Sequence, residues 1–204
     1  DLDFLADNFK FDLSKIKVRP NWIILSKNKS ILERNELKIL SVGRLEEQKN
    51  YRELILTFKN SEFEIDIYGE GSQKEELIEL SRLNQVKVNF KGQINYSSLQ
   101  KIYEDYRYYV SFSKFEGNPK SILEAQSKGC VVVSLKDKNI EEIIQNYENG
   151  LIIEKPSQMK KVLKQLNVET EKLKILSENA TYSTREKNDI DKIVDIDFQD
   201  INSL

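Results

Sequence analysis

Histidine is absent from the 204-residue sequence, which also has a single cysteine and a single tryptophan. Because histidine is the commonest general base and metal ligand in proteins, its absence argues against a zinc centre or a Ser-His-Asp triad built from this chain alone. One cysteine cannot form a disulfide framework, which fits a reducing compartment. Cys130 lies in an apolar run that predicts a buried strand, so we expect an inert thiol.

Long hydrophobic runs are also missing. No stretch approaches the roughly 18 consecutive apolar residues of a transmembrane helix, and no signal-peptide pattern is present. Lys plus Arg number 32 and Asp plus Glu number 34, for a net charge of -2, so the bulk charge gives no reason to expect a nucleic-acid partner. We expect a cytoplasmic location. Because the sequence begins at Asp1 rather than methionine, we expect it to be part of a longer protein.

Strand-length apolar runs alternate with helical patterns through most of the chain. The length suits one α/β core with an appendage. Repeated strand–helix units with short connections predict an α/β, Rossmann-like fold with a doubly wound, mostly parallel sheet. After residue 155 the pattern becomes purely helical. The predicted strands are residues 16–19, 37–43, 63–68, 86–91, 108–112, 130–134 and 150–153, and the predicted helices between them are 50–59, 73–83, 97–106, 119–128 and 140–146.

The carboxyl ends of the predicted strands carry the candidate site, since open α/β sheets bind ligands there. One strand ends at Gly43 and is followed by Arg44, and Lys49 lies at or just before the next helix. A cation at a helix N-terminus opposes the helix dipole, which suggests an anionic ligand. Gly43 would let that ligand approach the backbone. On spacing alone, Arg44 and Lys49 are equally well explained as ordinary surface charges.

A second candidate stretch covers residues 115–125. Pro119 suits the first turn of a helix, whose free backbone N–H groups would form an anion site. Glu116 precedes this helix and Glu124 lies more than one turn inside it, so the two carboxylates do not form a facing acid/base pair. We expect them to contact different parts of one ligand. Glu124 has apolar neighbours, and a ribose or sugar diol would satisfy a buried carboxylate there.

These residues resemble the C-terminal domain of the GT-B family 4 glycosyltransferases, also called group 1. The resemblance covers about residues 16–153 and rests on two main motifs, supported by a family-like Pro-Asn-Trp at residues 20–22 and Glu-Asn-Gly at residues 148–150. The first is Glu-x7-Glu, which runs from Glu116 to Glu124, and the second is Gly-Arg-x4-Lys, which runs from Gly43 to Lys49. The full Gly-x-Gly-x-x-Gly fingerprint does not follow the strand that ends at Gly43, which argues against a dinucleotide-dependent dehydrogenase.

The resemblance implies a retaining glycosyltransferase whose donor is a nucleotide-diphosphate sugar, either a UDP- or a GDP-sugar, with no cofactor and no metal. Arg44 and Lys49 would hold the diphosphate and neutralise the leaving nucleotide, as a metal does in other transferases. Glu116 would meet the donor sugar and Glu124 the ribose hydroxyls. The implied catalytic residues are Arg44, Lys49 and Glu116. The implied substrate-binding residues are Gly43, Arg44, Lys49, Gln93 and Ile94 (at the base), Glu116, Gly117, Asn118, Pro119, Lys120, Ser121 and Glu124.

The resemblance also implies an N-terminal domain that holds the acceptor and that this sequence lacks. Residues 1–21 would be the end of that domain and its connection, residues 22–155 the nucleotide-sugar-binding domain, and residues 156–204 helices packed on it. We therefore expect the isolated chain to be inactive. The full enzyme would act in bacterial glycan or polysaccharide synthesis, either free in the cytoplasm or peripherally bound to the cytoplasmic face of the membrane. Where many relatives have Gly-Gly, this chain has Lys138 and Asn139, so the shape of that loop is not predicted.

Other functions remain open on the sequence alone. A non-catalytic nucleotide-sugar-binding module would be expected to have lost Arg44, Lys49, Glu116 or Glu124. A GT-B-fold sugar-nucleotide epimerase would need acid/base groups that we do not find. A receiver-like phosphoacceptor domain would carry an aspartate where this chain has Gly43 followed by Arg44.

Overall fold

Six strands of the described chain pair in a single sheet. The computed structural model describes residues 16–17, 19–24, 28–117 and 119–202. Its strands are β1 (Asn35–Val42), β2 (Glu64–Tyr68), β3 (Val88–Gly92), β4 (Tyr106–Ser111), β5 (Val131–Leu135) and β6 (Leu151–Ile153). They lie in the order β3-β2-β1-β4-β5-β6, and every neighbouring pair is parallel. The strand order reverses between β1 and β4, which creates a crevice at the carboxyl ends of these two strands.

Helices cover the sheet and continue beyond its last strand. Between the strands lie α1 (Tyr51–Thr57), α2 (Lys74–Leu83), α3 (Tyr96–Ile102), α4 (Lys120–Ser127) and α5 (Lys138–Ile143), and after β6 come α6 (Met159–Val168), α7 (Thr170–Asn188) and α8 (Ile190–Asn202). The predicted Rossmann-like fold, with its parallel sheet and C-terminal helical extension, is confirmed. No helix within the described ranges combines the length and the apolar character that crossing a bilayer requires.

Both faces of the sheet are buried, as expected for parallel strands with continuous apolar runs. Successive residues of β1, Ile39 and Leu40, point to opposite faces and are both fully buried. Each face therefore has its own apolar cluster. One cluster includes Ile39, Ile65, Val110, Leu54, Leu77 and Leu163, and the other includes Leu40, Tyr109, Val132, Ile122, Ala125 and Ile140.

The amino-terminal segment differs from the prediction. No described residue between 16 and 19 lies in a strand, so the strand predicted there is wrong for these residues. Arg19 instead pairs with two carboxylates of α8: its Nε lies 2.7 Å from Oδ1 of Asp197, and a second ion pair joins it to Asp200. These two ion pairs hold the segment against α8 at Arg19. Residues 1–15 lie outside the described residues.

The boundary before β4 also differs from the prediction, because the helix predicted over residues 97–106 ends earlier. Helix α3 ends at Ile102, a short 3-10 turn covers Tyr103–Asp105, and β4 begins at Tyr106. The Tyr106 side chain is buried and its hydroxyl donates to Asp66 of β2. Tyr106 therefore belongs to the strand, where its side chain contacts β2. The spacing of apolar residues along the sequence carries no information about such a contact between strands.

Two glycines allow the turn after β2 to pack against the turn after β1. At Gly69 the φ angle is +147°, and an added Cβ would overlap the carbonyl oxygen of Gly43. An added Cβ at Gly71 would overlap the carbonyl group of Leu45. The amide of Leu45 donates to the carbonyl oxygen of Glu70 at 2.9 Å, which joins the same two turns. This close packing fixes the backbone that carries the residues after β1.

The junction of α7 and α8 holds the segment before the sheet. The amide of Ile23 donates to the carbonyl oxygen of Asn188 at 2.8 Å, and the amide of Ile190 donates to that of Ile23 at 3.2 Å. The Asn188 side chain donates to the carbonyl oxygen of Asn21 at 2.7 Å. The backbone on both sides of Trp22 is therefore fixed by hydrogen bonds.

Candidate functional site

The turn after β1 and the loop after β4 meet at the carboxyl edge of the sheet. The amide of Lys114 donates to the carbonyl oxygen of Gln48 at 2.9 Å, and Nε2 of Gln48 donates to the carbonyl oxygen of Phe115 at 2.8 Å. Lys114 also forms an ion pair with Glu47. These contacts join segments that are 67 positions apart in the chain. The structure therefore brings the two sequence motifs onto one surface.

An ion pair between Lys49 and Glu116 lies at the centre of this surface. Nζ of Lys49 is 2.5 Å from Oε1 of Glu116, and the two side chains are only 19% and 8% exposed. The Ser113 hydroxyl donates to the same oxygen at 2.5 Å. No residue of the described chain donates to Oε2 of Glu116. A buried carboxylate needs polar partners, and Lys49 and Ser113 supply them to one of its two oxygens.

Arg44 lies two residues after the end of β1, and its side chain is exposed. Within the described ranges the guanidinium makes no hydrogen bond or ion pair. Its charge adds a small effect to the hydrogen bonds from Ser72 that hold the pKa of Glu46 below its usual value. A guanidinium offers five N–H donors in a planar fork, so Arg44 is available to bind an anion at this edge.

Two buried tyrosines outside the predicted site hold the edge together. The hydroxyl of Tyr109, on β4, lies 3.1 Å from the carbonyl oxygen of Val42 and 2.9 Å from Oγ of Ser121. The Tyr51 hydroxyl donates to the carbonyl oxygen of Gly43 at 3.3 Å. Burial raises the pKa of both phenols, so they stay protonated and serve as braces. The sequence analysis did not identify these two tyrosines, because an aromatic residue within a strand or helix pattern is typical of the hydrophobic core.

Helix α4 begins at the edge of the site. It starts at Lys120, directly after Pro119, and no side chain caps it. Uncapped N–H groups and the helix dipole together favour an anion at this end. An added Cβ at Gly117 would meet nothing within 4 Å, so the space beside the loop is open. Asn118, which the sequence also placed in the site, lies outside the described residues.

Glu124 lies one turn further along α4 and is buried. The Tyr103 hydroxyl donates to its Oε2 at 3.1 Å. Burial raises the pKa of the Glu124 carboxyl, while the Tyr103 hydrogen bond and the charge of Lys120 oppose the rise. Within the described chain, Glu124 and Glu116 share no hydrogen-bond partner.

Lys120 lies between two aromatic rings. Its Nζ is 4.1 Å from the ring centroid of Trp22 and 5.6 Å from that of Tyr96. Tyr96 is the first residue of α3 and follows Gln93 and Ile94, which occupy the loop after β3. The sequence analysis placed neither aromatic residue in the site.

Asn139 braces the loop that carries Glu116. Its side-chain amide donates to the carbonyl oxygen of Glu116, and its backbone amide donates to Asp137 at 3.0 Å, where Asp137 caps α5. Lys138 thus begins α5 and Asn139 supports the loop, which gives the shape of a segment that the sequence left unpredicted. A neighbouring cavity of about 860 Å³ touches the site through Gly117 and Pro119. Its other walls include Arg19, Lys138, Asn139, Lys187 and Asn188.

The single cysteine takes no part in this surface. Cys130 is fully buried, and its thiol donates to the carbonyl oxygen of Tyr103 at 3.1 Å. Burial raises the pKa of this thiol to about 12, so it is inert, as the sequence predicted. Over the described part of the chain, no group of three His, Cys, Asp or Glu side chains is arranged to hold a metal ion.

Comparison with known proteins assigns a family. A family model described as "Glycosyl transferases group 1" matches residues 24–183. The N-acetylgalactosamine-N,N'-diacetylbacillosaminyl-diphospho-undecaprenol 4-alpha-N-acetylgalactosaminyltransferase of Campylobacter jejuni is 32% identical over 164 residues, which are 75% of this chain and 44% of that protein. The UDP-N-acetylglucosamine--peptide N-acetylglucosaminyltransferase GtfA subunit of Streptococcus agalactiae is 29% identical over 127 residues, which are 59% of this chain and 25% of that protein.

Solved structures have the same fold. The pneumococcal O-GlcNAc transferase GtfA, crystallised with UDP and GlcNAc, matches with a TM-score of 0.80 and 21% identity over 99% of this chain and 42% of that chain. This chain thus spans less than half the length of each of these relatives. The family match covers most of the described sheet and helices, and it includes both motifs at the carboxyl edge. This chain belongs to the group 1 glycosyl transferases.

Proposed function

We propose that this chain is the donor-binding part of a retaining glycosyltransferase that takes an N-acetylhexosamine from a UDP-sugar. The observation that carries the proposal is one edge of the sheet where two cations, Arg44 and Lys49, the uncapped start of α4 and two buried carboxylates converge. A UDP-sugar has a matching set of groups, namely a diphosphate, a ribose diol and a hydroxylated sugar. The acceptor would be held by an upstream half of the enzyme.

The cations would act on the leaving group. When the bond between the sugar C1 and the β-phosphate oxygen breaks, both electrons remain on that oxygen and negative charge grows on UDP. Arg44, Lys49 and the N–H groups at the start of α4 are placed to stabilise this charge, and their positive field makes a metal unnecessary. The proposal therefore includes donor binding without a metal ion.

Glu116 would orient the donor sugar. Its Oε1 is held by Lys49 and Ser113, so Oε2 would accept hydrogen bonds from sugar hydroxyls. The ammonium of Lys49 has three donors and one is used by Glu116. The remaining donors would reach the diphosphate, which would set the distance between the sugar and its leaving group.

The choice of sugar and of biological role is supported by the relatives. Both curated names describe the transfer of an N-acetylhexosamine in a bacterium, one from UDP-N-acetylglucosamine. We extend this to a role in bacterial glycan synthesis. The non-catalytic alternative is disfavoured because Arg44, Lys49, Glu116 and Glu124 are all retained in the sequence.

Calorimetry with a donor panel tests the proposal. The 204-residue chain is titrated with UDP-N-acetylglucosamine, UDP-N-acetylgalactosamine, UDP-glucose and GDP-mannose, with and without EDTA. We expect one of the two UDP-N-acetylhexosamines to bind most tightly and EDTA to leave its affinity unchanged. Preference for GDP-mannose, or binding that EDTA abolishes, would contradict the proposal.

Replacing Glu124 by glutamine is expected to stabilise the fold and weaken UDP binding. Since burial raises the pKa of Glu124, the folded state holds this proton to higher pH than the unfolded state, and the ionised carboxylate lowers stability at neutral pH. Glu124→Gln should therefore raise the free energy of unfolding at pH 7. This gain in the free energy of unfolding should shrink as the pH is lowered towards the ordinary pKa of glutamate, because the carboxyl is then largely protonated in the folded state. UDP affinity should fall about tenfold, because a charged hydrogen bond to the ribose is replaced by a neutral one.

Urea unfolding at the two pH values and calorimetry with UDP measure both effects. Glu76→Gln, at an exposed ion pair with Arg52, is the matched control and should change neither quantity appreciably. A Glu124→Gln chain that binds UDP as tightly as the wild type would remove Glu124 from the ribose site.

A further inference from the structure

A second cavity, of about 780 Å³, lies at the amino ends of the strands, between one face of α7 and the segment before β1. Two of its residues mark this position, since Arg34 directly precedes β1 and Gly129 lies two residues before β5. We call it the amino-end cavity. Because β1 has eight residues, about 25 Å of sheet separates this cavity from the carboxyl edge that carries both motifs. The amino-end cavity is therefore distinct from the proposed donor site.

Positive charge is concentrated around the amino-end cavity. Its lining includes one carboxylate, from Glu178, and four cations, from Lys29, Arg34, Lys174 and Arg185, although the whole chain has a net charge of -2. The two lysines form ion pairs with neighbouring exposed carboxylates, which an incoming anion can replace at little cost. Over the described residues, Arg185 makes no hydrogen bond or ion pair. The cavity should therefore attract an anionic ligand.

Arg34 is only 5% exposed, yet it pairs with no carboxylate of the described chain. Its Nη2 donates to the carbonyl oxygens of Lys29 and Lys128 at 2.8 and 2.7 Å, and its Nη1 donates to that of Tyr106 at 3.2 Å. Carbonyl groups hold the guanidinium but do not neutralise it. Nε of Arg34 and Oδ1 of Asn28, which also lines the cavity, are buried without a hydrogen-bond partner. Such atoms are rare in native proteins, so this wall lacks a polar, negatively charged partner.

Hydroxyl groups lie beside this buried charge. The Ser177 hydroxyl donates to the carbonyl oxygen of Gly129 at 2.6 Å, and the Thr181 hydroxyl donates to that of Ser177 at 3.1 Å, so both oxygens keep lone pairs that can accept. Both hydroxyl oxygens and Nη2 of Arg34 lie within 3.4 Å of the position that a Cβ on Gly129 would take. The cavity is also larger than a phosphate ion, and its volume falls in the range of small-molecule sites. A matching ligand therefore has hydroxyl groups as well as a negative charge.

We propose that the amino-end cavity binds a phosphate ester of a small polyol, with the chemistry of glycerol phosphate. Lys174 and Arg185 donate charge-assisted hydrogen bonds to the phosphate, and the field of the buried Arg34 adds to the attraction. Ser177 and Thr181 accept hydrogen bonds from the polyol hydroxyls. The same group occurs in free phosphate esters and in the headgroups of glycerophospholipids. The inference is independent of the proposed function, because the cavity shares no residue with the donor edge.

An NMR titration with glycerol 3-phosphate locates the binding. The chain is saturated with UDP beforehand, so that the donor edge does not compete for phosphate. We expect saturable shifts of the Gly129 and Arg185 amides and none at Gly43, and no shifts with glycerol alone. Arg185→Ala should weaken this binding about tenfold, because it removes a charged hydrogen bond. Arg82→Ala removes the same charge from an exposed helix position and should bind as wild type, and thermal unfolding confirms that both variants are folded.

Sedimentation with vesicles identifies the source of the phosphate ester. Binding to phosphatidylglycerol vesicles that is lost in Arg185→Ala, with none to phosphatidylcholine vesicles, would identify a lipid headgroup. Binding of glycerol 3-phosphate without vesicle binding would identify a free phosphate ester. The same titration of Arg44→Ala without UDP should give the same shifts, whatever the donor edge binds. Shifts confined to the donor edge, or equal affinities of wild type and Arg185→Ala, would overturn the proposal.

Discussion

Joining this chain to the upstream acceptor-holding half that the proposed function assigns to the enzyme is expected to raise sugar transfer by at least about 10⁵-fold over the chain alone. The isolated chain has groups for the donor but, by the proposed function, none for the acceptor. Holding an acceptor hydroxyl against the sugar C1 replaces a bimolecular encounter by an oriented one, which contributes about 7–11 kcal/mol. Closure of two halves over the donor would also exclude competing water.

The comparison uses the chain alone, the upstream half alone, the two added together and the two fused. Release of UDP and formation of glycosylated acceptor are measured separately, so that hydrolysis of the donor is not counted as transfer. A fused Glu116→Gln protein controls for transfer that does not use this site. Transfer by the purified 204-residue chain at the rate of the fused protein would show that the chain is a complete enzyme.

Loss of either cation after β1 is expected to weaken UDP binding by roughly ten- to a hundredfold. Each charged hydrogen bond to a phosphate contributes about 1.5–3 kcal/mol. Arg44→Ala should change binding alone, because the guanidinium is exposed and makes no hydrogen bond or ion pair within the described chain. Lys49→Ala should also lower stability, because it leaves the buried Glu116 carboxylate without its cation.

Calorimetry with UDP and urea unfolding distinguish the two variants. Arg82→Ala and Lys161→Ala remove the same charges from exposed helix positions and serve as controls for net charge. If both Arg44→Ala and Lys49→Ala bind UDP with wild-type affinity, the phosphate role of this edge is wrong.

The sequence was sufficient for the sheet and for the position of the motifs, because both follow from local patterns. Apolar runs define strands; Gly43 follows β1 directly, and Glu116 lies in the loop after β4. The pairing of Lys49 with Glu116 was not predicted: it depends on the reversal of strand order between β1 and β4, which brings distant loops together. The periodicity of apolar residues predicts each helix or strand by itself. It does not predict which other helices and strands pack beside it.

The supporting residues were missed for the same reason. Tyr109, Ser113 and Asn139 act on the site through contacts with residues elsewhere in the fold. Trp22 reaches Lys120 across nearly a hundred positions of sequence. The strand predicted at residues 16–19 is wrong for a related reason, since Arg19 pairs with two carboxylates of α8 that lie far away in the sequence.

A crystal structure of the chain with UDP tests the central claim most directly. We predict the diphosphate within hydrogen-bond distance of Arg44, Lys49 and the first turn of α4, with the ribose hydroxyls on Glu124. UDP bound at another edge of the sheet, or within the cavity lined by Lys138 and Lys187, would contradict the account.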